Sequence, residues 1–137
     1  FEGKGDRLPP QKWKETKLPL DVIFFEGWML GFRALGGVSD LSLAEIDKRL
    51  QAYESWWSEL DAFIQLKASD HRFVLDWRVE AEEKMKATGK PGMTVEEAIA
   101  YVTTFLPAYE TYLPGLSAGS KPALVVEIGR DRMPVGQ

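Results

Sequence analysis

The chain has 137 residues, 45% of them hydrophobic and 28% charged, a balance that fits one globular domain and excludes a disordered polymer. Its formal net charge of -4 excludes a broad nucleic-acid surface, which is usually strongly basic. With no Cys there are no disulfides or thiolate metal sites, and no apolar run approaches the roughly 18 residues that a membrane span needs.

Five Trp, four Tyr and seven Phe supply enough large apolar surface for a sizeable core. Residues 1–19 are rich in Gly, Pro and Lys, and Pro9, Pro10 and Pro19 predict irregular structure. The stretch is locally basic, with Lys4, Arg7, Lys12, Lys14 and Lys17 against Glu2, Asp6 and Glu15. Such a stretch either attracts an anionic ligand or is simply a solvated surface. The chain starts at Phe1 without a Met and shows no signal peptide, so it reads as trimmed. The lack of Cys fits an intracellular protein.

Asp21-Val22-Ile23-Phe24-Phe25-Glu26 carries four consecutive apolar residues, the pattern of a strand buried on both faces. Gly27 stops it, and residues 28–37 read as a loop with Gly31, Gly36 and Gly37. Residues 42–60 form an amphipathic helix, because Leu43, Ile46, Leu50, Tyr53, Trp57 and Leu60 recur at spacings of three and four. Asp40 or Ser42 caps its start. Residues 62–66 read as a second strand. Ser69 and Asp70 cap a helix over about 71–87, with Val74, Trp77, Ala81 and Met85 as its inner stripe and Gly89 and Pro91 beyond its end. Thr94-x-x-Glu97 is a capping box opening a third helix, with Val95, Ala98, Ile99, Val102 and Phe105 inside. Pro107 ends or kinks that helix. Residues 123–128 are a third strand, followed by a polar tail. Helices between apolar strands predict an α/β fold with right-handed crossovers and a parallel sheet. Three strands are few, so the chain is expected to be part of a larger domain.

Ligands in open α/β sheets bind at the carboxyl ends of strands, and Glu26 occupies such an end. A carboxylate there can hold Mg²⁺ through water or orient an attacking hydroxyl in phosphoryl transfer. By pattern alone it equally caps a strand end. The matching phosphate loop, G-x-x-x-x-G-K-[ST], is absent: Gly3-Lys4-Gly5, Gly89-Lys90-Pro91 and Gly119-Ser120-Lys121 all fail it, and no G-x-G-x-x-G is present.

Several segments, in order along the chain, resemble those of the D-glycerate 3-kinase family. Phe1-Glu2-Gly3-Lys4-Gly5-Asp6-Arg7 is similar to its F-x-G-x-G-D-R segment, and Phe25-Glu26-Gly27-Trp28-Met29-Leu30-Gly31-Phe32 to its E-G-W-x-L-G-F segment. Trp77-Arg78-Val79-Glu80-Ala81-Glu82 resembles its W-R-L-Q-x-E helix. Gly92-Met93-Thr94 with Glu96 or Glu97 resembles G-M-[ST]-x-E-x, and Pro107, Tyr109 and Tyr112 resemble P-x-Y-x-x-Y. E-G-W-x-L-G-F is the least common of these, and together the segments span nearly the whole chain.

The resemblance implies the C-terminal part of a P-loop kinase three-layer domain over residues 1–137, using ATP and Mg²⁺ to phosphorylate D-glycerate. In the family the phosphate-binding loop lies upstream of the segment matching Phe1, so the piece alone is expected to be inactive. It also implies roles. Glu26 is the expected catalytic and metal-facing carboxylate, with Asp6 and Arg78 as further catalytic residues. Arg7 and Trp28 are expected at the substrate, and Arg130 and Arg132 at the nucleotide. The structural alternatives are a loop salt bridge for Asp6 and Arg7, core packing for Trp28 and a solvated basic face for Arg78. The family often has a second Arg where this chain has Asp76. His71 is expected at a helix cap, and Tyr109 and Tyr112 in packing. No nucleic-acid or membrane partner is expected. The bare apolar strands predict self-association or pairing with an N-terminal part, in the cytoplasm or a plastid stroma. Two other readings remain, a non-catalytic binding or regulatory module and a P-loop kinase for another hydroxylated metabolite.

Overall fold

A computed structural model of the chain describes residues 8–118 and 123–136. Asp6 and Arg7 lie outside the described residues. The chain divides into two units, one ending at Leu30 and the other starting at Gly31.

The first unit contains a single 3-10 turn, Pro10–Lys12, among its described residues. Pro at its start presets the backbone, and the Lys12 and Trp13 N–H groups close onto Pro9 O and Pro10 O at 2.8 and 3.0 Å. The strand expected over 21–26 does not form. The described sheet contains only the two strands given below, and Val22, Ile23 and Phe24 are exposed, Phe24 to 86%. Apolar β-branched and aromatic residues favour a strand only where a neighbouring strand and a packed face receive them. Beyond Glu26 the chain turns: Leu30 N–H donates to Gly27 O at 3.3 Å, and Met29 sits at φ 60.

In the second unit, Asp40 accepts from Ser42 N–H and Oγ at 2.9 and 2.6 Å and so opens a 3-10 turn, Leu41–Leu43. This leads into α1 (Ala44–Leu50), a second 3-10 turn (Gln51–Tyr53) and α2 (Glu54–Glu59). The helix expected over 42–60 is therefore helical but tightens in its middle. A 3-10 turn has about three residues per turn, so it shifts the buried face. Leu43 and Trp57 are buried, whereas Ile46 and Tyr53 are exposed.

β1 (Phe63–Ala68) runs parallel to β2 (Ala123–Ile128), with Phe63 opposite Ala123 and Ala68 opposite Ile128. The crossover between them contains α3 (Phe73–Ala87), α4 (Val95–Thr103) and α5 (Leu106–Tyr112). This confirms an α/β fold with a parallel sheet and three main helices. Side chains alternate along a strand. Gln65 is buried on one side of β1, whereas Ile64 and Leu66 are exposed on the other.

The expected capping box is complete. Thr94 Oγ1 accepts from Glu97 N–H at 3.1 Å, and Glu97 Oε2 accepts from Thr94 N–H at 2.8 Å. Pro107 starts α5 in its first turn, where a missing N–H is harmless, so it separates two helices rather than kinking one. The core of this unit gathers Phe32, Leu43, Trp57, Ala98, Val102, Ala108, Tyr109 and Tyr112. On α3 the stripe departs from expectation: Ala81 is exposed and the buried residue is Glu82.

Candidate functional site

Glu26 and Trp28 lie in the first unit, both exposed. The acidic end of this segment is therefore hydrated. Arg78, Arg130 and Arg132 lie in the second unit, where each is held by an acid on α3.

Arg78 forms an ion pair through Nη2 with Glu82 Oε1, one helical turn along. Its guanidinium carbon also sits 5.3 Å from the centre of the Tyr101 ring, a cation–π distance. The Glu82 carboxylate is almost fully buried and accepts a second bond, 2.9 Å, from Met93 N–H. Gly92 makes this approach feasible: a Cβ there would lie 2.9 Å from Glu82 Oε2.

Asp76 and Glu80, one turn apart on α3, face the segment after β2. Arg130 Nε donates to Asp76 Oδ2 at 2.8 Å, and Arg132 Nη2 to Glu80 Oε2 at 2.8 Å. Between them Trp77 Nε1–H donates to Arg130 O at 2.6 Å, and the Arg132 guanidinium carbon lies 5.3 Å from the Trp77 ring centre. Arg132 itself adopts φ 64. Hydrogen bonds from Arg132, and then from Lys84, pull the Glu80 carboxyl down to about 2. Asp76, Glu80, Val95, Ile99 and Arg130 help to line a concavity of about 450 Å³. Its lining carries three acids, Asp76, Glu80 and Glu83, against Arg130, and so does not favour phosphate groups.

A third feature was not anticipated. Asp47 is buried and takes three donors: Leu35 N–H at 2.8 Å, Gly37 N–H at 3.1 Å and the Tyr112 hydroxyl at 3.3 Å. Burial first, and then the Asp47 charge and hydrogen bond, push the Tyr112 hydroxyl up to about 12. Phe32 packs against Tyr112 and Tyr109 with ring centres 5.4 and 6.5 Å apart. Gly31 and Phe32 close one of the matched segments and Tyr109 and Tyr112 another, so the two meet in this core. The expected packing role of both tyrosines is realised. A Cβ at Gly31, where φ is 94, would come within 2.9 Å of Phe63 and Leu116.

His71 Nε2 lies 3.7 Å from Glu110 Oε1 in the turn ahead of α3. Among the described residues no group of three His, Cys, Asp or Glu side chains could hold a metal ion, and no helix is long and apolar enough to cross a membrane.

No protein-family profile matches the chain. It is 40% identical over 146 residues to the chloroplastic D-glycerate 3-kinase of Arabidopsis thaliana, covering 98% of this chain and 32% of that protein. It is 30% identical to a Saccharomyces cerevisiae protein named "probable ATP-dependent kinase", covering 96% of this chain and 50% of that one. Among solved structures, a D-glycerate 3-kinase from Cryptococcus neoformans var. grubii superposes with a TM-score of 0.79 at 28% identity, over 88% of this chain and 50% of that one. The chain thus spans a third to a half of the relatives it matches. The matched segments, the parallel α/β crossover and these likenesses agree: the chain belongs to the D-glycerate 3-kinase family.

Proposed function

We propose that the protein to which these residues belong transfers the γ-phosphoryl group of ATP to a hydroxyl of D-glycerate. The observation that carries this reading is the 40% identity to a plant D-glycerate 3-kinase across 98% of the chain. The fold likeness to a fungal enzyme of the same name supports it. ATP as donor is supported further by the yeast relative's name.

Phosphoryl transfer asks a protein mainly for positioning and charge stabilisation. In this reading Glu26, exposed and hydrated, orients the attacking hydroxyl and supplies one carboxylate toward Mg²⁺. A Mg²⁺ site of this kind needs only one or two carboxylates besides waters and substrate phosphates, so the single acid fits. When bound, Mg²⁺ would neutralise charge on the β- and γ-phosphates. Asp6, Arg7 and Trp28 would line the D-glycerate site. Arg78 would stabilise charge on the transferred group. Arg130 and Arg132 would contact the base rather than the phosphates, since their carboxylate partners repel anions.

The 137 residues by themselves are proposed to be inactive and to pair with the remainder of the domain or with themselves. Their exposed Val22, Ile23, Phe24, Ile64 and Leu66 support this. The plant relative's chloroplastic name is consistent with a plastid stroma as the alternative to the cytoplasm.

The test is ADP release by the full-length protein with MgATP and either D-glycerate, L-glycerate or glycerol. ADP formation should require D-glycerate and fall at least 100-fold in Glu26→Gln. Turnover with another hydroxylated metabolite but not D-glycerate would move the substrate assignment. No turnover with any of them would favour a binding module.

A further inference from the structure

Glu82 is an anomaly in energetic terms. A carboxylate in a low-dielectric site is unfavourable unless paired and hydrogen-bonded, and a buried ion pair is often no more stable than apolar packing. Yet Glu82 is 3% exposed, tied at one oxygen to Arg78 and at the other to Met93 N–H at 2.9 Å. The Arg78 side chain is less enclosed, 36% exposed, and its Nε has no hydrogen-bond partner although that atom is buried. So Glu82 grips Arg78 by Nη2, Tyr101 lies against the guanidinium, and about a third of the side chain stays exposed. Gly92 is the residue that admits the backbone beside the acid. The arrangement fixes a cation with unused donors on a helix.

We propose that Glu82 is a positioning residue that, with the Tyr101 ring, holds the Arg78 guanidinium in place for an anionic group of the bound substrates. This rests on the reading of Arg78 given above, and it gives roles to Glu82 and Tyr101, to which the sequence assigned none. Glu82 acts through Arg78 alone and touches no substrate. Tyr101 acts through its ring and not its hydroxyl.

The test is a double-mutant cycle in the full-length protein, read as kcat with MgATP and D-glycerate, with melting temperature followed in parallel. Glu82→Gln keeps the acceptor for Met93 N–H and removes the charge that orients Arg78. It should lower kcat about tenfold, with KM for D-glycerate within twofold. In an Arg78→Ala background the same substitution should cost less than twofold. Tyr101→Phe should retain kcat within twofold, and Tyr101→Leu should lower it at least threefold. An equal loss from Glu82→Gln in both backgrounds would overturn the positioning role while leaving Arg78 catalytic. Wild-type kcat in Arg78→Ala would instead defeat the reading of Arg78, and the inference with it. If Glu82→Gln melts too early to assay, the Tyr101 pair decides: equal kcat for Phe and Leu would overturn the role assigned to the ring.

Discussion

Replacing Asp47 with Ala tests whether the segment after Leu30 is held by one buried carboxylate. Three donors lose their acceptor: Leu35 N–H, Gly37 N–H and the Tyr112 hydroxyl. Tyr112 is 2% exposed, so its hydroxyl is stranded in the core, which costs on the order of 1–3 kcal/mol. Leu35 and Gly37 are exposed residues whose N–H groups recover water, so each forfeits only about 0.5–1 kcal/mol. Relief of the buried charge offsets part of the sum. The expected loss is therefore about 2–4 kcal/mol, or a fall in Tm of roughly 6–12 °C for a domain of this size. Asp47→Asn keeps one acceptor oxygen and should lose about half as much. The assay is urea unfolding followed by circular dichroism, repeated for Tyr112→Phe and the double variant. In contact, Asp47 and Tyr112 should show a coupling of at least about 0.5 kcal/mol. A loss below about 0.5 kcal/mol for Asp47→Ala, or strict additivity with Tyr112→Phe, would refute the reasoning.

Tyr112 also predicts an alkaline transition. Its folded-state value is raised from 10.0 to about 12, so the stability it contributes is complete below pH 10 and is lost as pH rises toward 12. Denaturant midpoints across that window should fall less steeply in Tyr112→Phe than in the parent. Gly92→Ala places a Cβ 2.9 Å from Glu82 Oε2 and 3.0 Å from Lys86 Cγ, and should destabilise by about 1–3 kcal/mol in thermal melts. Thr94→Ala removes the Oγ1 acceptor of Glu97 N–H, while the backbone N–H at 94 keeps its bond to Glu97, and should cost about 1 kcal/mol in the same measurement.

The helices were legible because their signals are local. The Thr94–Glu97 box, Asp40 as a cap and the spacing of Ala98 and Val102 depend on neighbours two to four residues away, although Val95 and Ile99, expected on the same inner face, are exposed. The strands divided along a different line. Phe63–Ala68 and Ala123–Ile128 are each other's partner, so their apolar character finds a ladder within the second unit. Val22 to Phe25 have the same character, yet pairing is a property of what surrounds a segment and not of its residues. Glu26 was read as a strand end on that basis. Its place in the matched segment survives the missing strand, because that match rests on identity and order rather than on conformation.

Asp47 and Glu82 were overlooked because an acid on an apolar stripe looks like noise in a periodic pattern. Asp47 stands four residues after Leu43 and three before Leu50, and Glu82 three before Met85, so each occupies a position its helix turns inward. Physical chemistry makes such a position informative. A carboxylate tolerates burial only with two or three donors aimed at it, and backbone N–H groups are the most available donors. They reach a side chain closely where the chain turns through glycine, either at a positive φ or with no Cβ in the way. Both acids meet this condition. Asp47 is served beside Gly36 and Gly37, at φ 76 and 149, and Glu82 beside Gly92. The readable signal is thus a pair: an acid on an inward helical position and a glycine turn elsewhere in the chain to receive it. One such pair, Glu82 with Gly92-Met93, lies in the segments that resemble the family's. In this chain Gly92 therefore admits a buried carboxylate as well as a turn, and the carboxylate at Glu82 in turn pairs with Arg78.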